Sequence, residues 1–304
     1  MKTDIYTISS SQLSCRLYGK SDKTIVIDSC IASCSAEWWH IAEQLQGEYQ
    51  VLLYDRAGYG KSSLSIKTRT PENIAAELDD LLNKLGINKN IIMIGHSQGG
   101  FYATQYALMF PQKMKAVVLL DPATPFDIEF IHNLSQKEYK YSGVDKTFGF
   151  KLALFFTRLK LGFLFKSLFI KSPPFYYYNF SDDAKNYLLS ALCKKETYKT
   201  ALEEYKYTHL TETSQKVIDG VNNCGLKNIP IILMTHSSSI YVKELKEFAA
   251  LDDEVALKVE ALWQDIMKKY LKLSTDSKHI IASNSGHYIH LTDNELLESV
   301  IKAL

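Results

Sequence analysis

Up to about Asp121 the chain alternates short runs of β-branched and aliphatic residues with segments whose apolar positions recur every three or four residues. Residues 24–27, 50–54, 90–94 and 116–120 are the clearest runs. They are apolar almost throughout rather than alternating, the pattern of strands covered by helices on both faces. Between them, Ile74, Leu78, Leu81, Leu82 and Leu85 fall at helical spacing, with Pro71 suited to the first turn and Gly86 to the stop. Such alternation predicts an α/β fold built on a mostly parallel sheet.

Beyond Asp121 the pattern changes. No comparable strand run occurs between Pro125 and Asn228, yet 20 of the 36 aromatic residues lie there. That contrast predicts a helical cap, or lid, at 125–228, inserted into a core made of 1–124 and 229–304. A strand pattern resumes at 229–234, and a long helical stretch then passes through Trp263 and Tyr270. The last strand, 279–282, leads to a terminal helix from about Asn294.

Residues 148–170 are apolar enough to raise the question of a membrane span. They carry Lys151, Arg158, Lys160 and Lys166, each costly at a bilayer centre, so spanning is not expected. Leu152, Phe155, Phe156, Leu159 and Phe163 share one helical face, which predicts an amphipathic helix. The expected partner of that face is the protein's own core; contact with a membrane surface is the alternative.

With 35 Lys and Arg against 34 Asp and Glu, no concentrated basic surface for nucleic acid is expected. The start of the chain lacks the apolar run of a secretory signal, which points to the cytoplasm. Five scattered cysteines fit reduced thiols better than a disulfide framework. Cys30 and Cys34 are the nearest pair, and with only His40 close by they are not expected to hold a metal; no cofactor is expected either.

The strongest chemical signal is Gly95-His96-Ser97-Gln98-Gly99-Gly100, which follows a strand run and opens a helical segment at 101–109. Two glycines allow a sharp strand-to-helix turn that lifts the serine oxygen clear and leaves the amide of Gln98 at a helix N-terminus. A serine hydroxyl needs a base to become a nucleophile. Among the eight histidines, His287 in Ser285-Gly286-His287 follows the last strand run, at the sheet edge where Ser97 also emerges. His96 is expected to be structural, and His290 to sit at the approach to a helix. The base in turn needs a carboxylate to orient it. Asp121, at the end of its strand run, reaches the same edge; the loop after 231–234 has no acid before Glu244, which is the alternative.

Taken together these segments resemble the α/β-hydrolase superfamily over nearly the whole chain. Tyr54 to Ser62 resembles the loop after the family's fourth strand, which serves mainly loop structure. Gly95 to Gly100 resembles its nucleophile elbow, and Ser285-Gly286-His287 its histidine loop. The order Ser97, Asp121, His287 is the family's, whose acid follows either the sixth or the seventh strand. The resemblance implies an oxyanion hole formed by the backbone amides of Gln98 and Ile31, although Cys30 stands where most relatives carry glycine.

Ser97 departs from the aspartate of haloalkane dehalogenases and related epoxide hydrolases. Cleavage of an ester, thioester or amide is therefore expected, and the family's caps imply a small, largely apolar substrate. A non-catalytic binding protein on the same scaffold and a lipase at a membrane surface are the competing readings.

Overall fold

The computed structural model describes residues 3–141 and 147–304. Its sheet is formed by β1 (Asp4–Thr7), β2 (Gln12–Tyr18), β3 (Thr24–Asp28), β4 (Gln50–Tyr54), β5 (Ile91–His96), β6 (Met114–Leu120), β7 (Ile231–His236) and β8 (Ser277–Ala282). The strand order is β1-β2-β4-β3-β5-β6-β7-β8. From β4 to β8 every pairing is parallel, whereas β2 runs antiparallel to both β1 and β4. Sequence patterning found the six parallel strands and missed the two antiparallel ones. In β2 the polar residues Gln12, Ser14 and Arg16 interrupt the apolar run, and β1 is mostly exposed.

Successive strand side chains point to opposite faces, so a continuously apolar strand needs cover on both. Val26, Leu52, Met93, Val117 and Leu233 face one layer, where they meet helices α2 (Pro71–Lys84) and α3 (Gln98–Met109) through Leu78, Leu81, Phe101 and Tyr106. Ile25, Val51, Ile94, Val118 and Met234 face the other, against Trp38, Leu45 of α1 (Trp39–Leu45) and the C-terminal Leu297 and Ile301. Truncating one of these leucines to alanine should cost about 2–5 kcal/mol.

Between β6 and β7 the described residues form α4 (Ile128–Asn133), α5 (Gln136–Tyr141), α6 (Thr147–Arg158), α7 (Lys166–Phe169), α8 (Asp182–Leu192), α9 (Lys195–Thr208) and α10 (Thr211–Asn222). After β7 the chain makes α11 (Ser238–Ala249) and α12 (Asp253–Met267) where one long helical stretch was expected. Ala250 takes a left-handed conformation, and Asp252 then caps the next helix through the Val255 amide.

The stretch 148–170 departs from expectation in two ways. It is broken after Arg158, with Lys160 in the left-handed region, a 3₁₀ turn at Gly162–Phe165, and then α7. Most of its apolar face is not packed on the core: of the residues expected there, Leu152, Phe155, Leu159 and Phe163 are exposed, Phe156 is half-buried against Phe165, and the neighbouring Phe148 is exposed at 76%. The inward face is formed by Phe150, Ala153, Leu154 and Thr157. No helix among the described residues is long and apolar enough to cross a membrane.

Candidate active site

Ser97 is the hinge residue between β5 and α3, with φ of 53° and ψ of −121°. A left-handed φ strains a non-glycine residue, and the surrounding packing must hold it. The serine amide donates to the Leu120 carbonyl at 2.9 Å, while the Ser97 carbonyl accepts from Gly100 and Ala123. Glycine is required on either side by close approach. A Cβ on Gly95 would meet the Gly99 carbonyl at 2.4 Å, and one on Gly99 would meet the Asp28 carbonyl at 2.1 Å. Helix α3 begins at Gln98, three residues earlier than the apolar pattern indicated. Its first turn presents amides that have no partner within the helix.

Ser97, Gln98, Asp121, His287 and Ile31 line one cavity of about 120 Å³. His287 Nδ1 donates to Asp121 Oδ2 at 3.1 Å. Glu244, the other carboxylate considered, approaches the backbone of this loop rather than the ring: the His287 amide donates to Glu244 Oε2 at 3.5 Å.

Asp121 also holds a second histidine, which sequence reasoning left out. His236, at the end of β7, donates from Nδ1 to Asp121 Oδ2 at 2.5 Å, and its backbone amide donates to Asp121 Oδ1 at 2.8 Å. The opposite ring nitrogen donates to Glu260 Oε2 of α12 at 2.9 Å. All three residues are buried. Burial opposes a charge on His236, but the two carboxylates outweigh it and raise its pKa to about 10. Burial likewise works to raise Asp121, and the charge and hydrogen bonds of His236 and His287 bring it down to about 2. The raised value favours a charged imidazole held between the carboxyl groups of Asp121 and Glu260. The loop after β7 carries no acid of its own; the acid arrives from a helix 24 residues later. A histidine ending a buried strand was the only signal available.

Behind the serine lies a buried histidine pair. His96 Nε2 donates to the His287 carbonyl at 3.0 Å, and so joins the serine turn to the histidine loop. His290 is buried, not merely a residue approaching a helix; it donates to Glu37 Oε1 at 2.8 Å and stacks on Trp38 at 3.9 Å. Desolvation, followed by the neighbouring imidazoles, pushes both rings well below the ordinary histidine range. Glu37, His96 and His290 bring ligand-type atoms within 4.8 Å of one another, so among the described residues they are the group that could hold a metal ion. The His290–Glu37 hydrogen bond already accounts for their arrangement. Cys30 and Cys34 are buried free thiols, and His40 donates to the His290 carbonyl at 3.3 Å.

Arg56 lies in the loop expected to be mainly structural, and it does organise structure at the site. It is buried, pairs with Asp28 and with Glu204 of α9, and donates to the carbonyls of Ser29 at 2.5 Å and Cys30 at 3.1 Å. Those carbonyls immediately precede Ile31, so the guanidinium pins the segment that carries it. Glu204 also accepts from Tyr59 at 2.9 Å and pairs with Arg69 at 3.3 Å. Ala32, just after Ile31, has φ of 56°, a turn that keeps Ile31 at the cavity.

Comparison with known proteins agrees with this architecture. The chain is 31% identical over 105 residues to YqjL, an uncharacterized protein of Bacillus subtilis, covering 34% of this chain and 42% of that one. It spans less than two thirds of the length of the first curated relatives it matches. Among solved structures, an esterase from Thermogutta terrifontis superposes with a TM-score of 0.64 at 14% identity, covering 100% of this chain and 97% of that one. The epoxide hydrolase CorEH does so with 0.66 at 15%, covering 99% and 97%. The model of the alpha/beta hydrolase fold matches residues 23–293, and the chain belongs to that family.

Proposed function

We propose that the chain is a serine hydrolase that cleaves an ester bond of a small, largely apolar substrate through an acyl-enzyme. The observation that carries this reading is the shared cavity of Ser97 and His287, with the far side of the His287 ring hydrogen-bonded to Asp121. With its Nδ1 proton committed to Asp121, His287 keeps the Nε2 lone pair for the Ser97 proton. Ser97 Oγ attacks the ester carbonyl as His287 accepts that proton. The backbone amides of Gln98 and Ile31 stabilise the oxyanion, and the alcohol leaves with the proton from His287. Water repeats the sequence to release the acid and regenerate Ser97.

Asp121, not Glu244, is the orienting acid in this mechanism, because it meets the ring. Serine at the nucleophile position favours ester over epoxide chemistry, despite the structural likeness to an epoxide hydrolase. We assign residues 125–228 as the cap. A second cavity of about 490 Å³, lined by Ile31, Phe150, Phe169, Leu188, Tyr198 and Tyr288, adjoins the first at Ile31 and suits an apolar acyl or alkyl group.

Hydrolysis of p-nitrophenyl butyrate and labelling by a fluorophosphonate should both disappear in Ser97→Ala. Unchanged turnover in that variant removes Ser97 from the mechanism. Absence of labelling in the wild type would favour a binding protein on the same scaffold.

A further inference from the structure

The outer face of the cap is built opposite to an ordinary protein surface. In α6 and the turn after it, Phe148, Leu152, Phe155 and Leu159 follow one another at helical spacing, and all are exposed, at 76%, 45%, 57% and 54%. The short turns that follow add Phe163, Leu164 and Leu168, exposed at 58%, 56% and 58%. So many large exposed apolar side chains in one short segment mark an interaction site rather than routine surface.

The charges around the patch say what it meets. Residues 147–172 contain Lys151, Arg158, Lys160, Lys166 and Lys171, all exposed, and no Asp or Glu. The chain as a whole is only +1, so positive charge is concentrated here against an excess of negative charge elsewhere. Lys151 and Arg158 lie along one side of the apolar stripe of α6, where their alkyl stems can run beside it while the charged ends reach outward. Apolar side chains rimmed by cations match a surface with an apolar interior and anionic headgroups. The opposite side of the same segment supplies Gly149, Phe150, Ala153 and Phe169 to the wall of the larger cavity.

We propose that residues 147–172 dock the protein peripherally on an anionic lipid bilayer, with Phe148, Leu152, Phe155, Leu159 and Phe163 entering the interface and the five cations contacting headgroups. Docking this way sets the larger cavity directly behind the membrane-facing segment. The docking itself does not depend on the chemistry assigned to Ser97.

The test is flotation of the full chain with vesicles of phosphatidylcholine alone and vesicles of equal parts phosphatidylcholine and phosphatidylglycerol. The protein should float with the anionic vesicles and stay at the bottom with the neutral ones. Phe155→Glu with Leu159→Glu should abolish flotation. Lys151→Glu with Arg158→Glu should weaken it by at least about fivefold for each cation lost. None of these four side chains lines the larger cavity, so hydrolysis of soluble p-nitrophenyl butyrate should continue at the wild-type rate and report an intact fold. Failure to float with anionic vesicles, or equal flotation with neutral ones, overturns the proposal while leaving the hydrolase reading in place. It is also overturned if the wild type is a dimer in solution that the Phe155 and Leu159 variant makes monomeric and neither form floats, since the face then meets a second copy.

Discussion

Two regions of this molecule reverse the usual distribution of charge, and they do so in opposite senses. In the interior, side chains able to carry charge are buried in pairings: Arg56 and Arg69 with Glu204, and His236 with Asp121 and Glu260. On the outer face of α6, large apolar side chains stand in solvent. Both helices that make the contrast lie between β6 and β7, since Glu204 belongs to α9. Buried charges are tolerated only in specific pairings, so they tie α9 to the core in one geometry. Exposed apolar groups impose no such geometry on α6, and leave its outer face open to a partner from outside the chain. Within the stretch between β6 and β7, one helix anchors and the other presents a surface.

The largest expected effect tests the interior directly. Asp121→Asn should lower turnover of p-nitrophenyl butyrate by on the order of 10⁴-fold, because His287 loses its orienting anion, and should also destabilise the fold, because His236 loses one of its two buried carboxylates. If Glu244→Gln produces that loss and Asp121→Asn does not, the acid has been misassigned.

Glu204→Gln leaves Arg56 and Arg69 with one fewer buried anion, and should destabilise the protein by about 3–5 kcal/mol in urea unfolding. Turnover should fall as well, because Arg56 holds the carbonyls before Ile31. A change within the range of ordinary surface substitutions would mean that α9 is not anchored by charge.

The pair of His236 and Glu260 predicts a pH signature. The folded-state pKa of His236 is raised to about 10 from an ordinary 6.5. Its stabilising contribution is therefore complete below 6.5 and is lost as pH rises toward 10. Melting temperatures of the wild type should decline across that window, and His236→Gln should flatten the decline. Nitrogen chemical shifts of the ring at pH 8 should report a doubly protonated imidazole; a neutral ring there would contradict the arrangement.

The smallest effect belongs to the outer face. Phe155→Glu with Leu159→Glu should change stability by no more than about 0.5 kcal/mol per site, since little contact is lost. A large loss in urea unfolding would mean that this face is covered within the protein, and the contrast between the two regions would vanish.

Local patterning along the chain was enough to determine the parallel strands, helix α2 and the turn at Ser97. Period-two and period-3.6 burial and the steric demands of Gly95 and Gly99 are properties of neighbouring residues. That Ser97, Asp121 and His287 would meet at one place was legible for the same reason, because each follows a strand on the shared sheet edge. Only the tertiary structure decided that Asp121 serves two histidines, that Glu260 reaches His236 from a later helix, and that Arg56 grips the loop before Ile31. Those pairings join groups far apart in sequence, and their stability depends on burial that no local window records. Likewise the amphipathic pattern of α6 told that the helix has an apolar face. What lies against that face depends on the space the rest of the fold leaves, and here the fold leaves it uncovered.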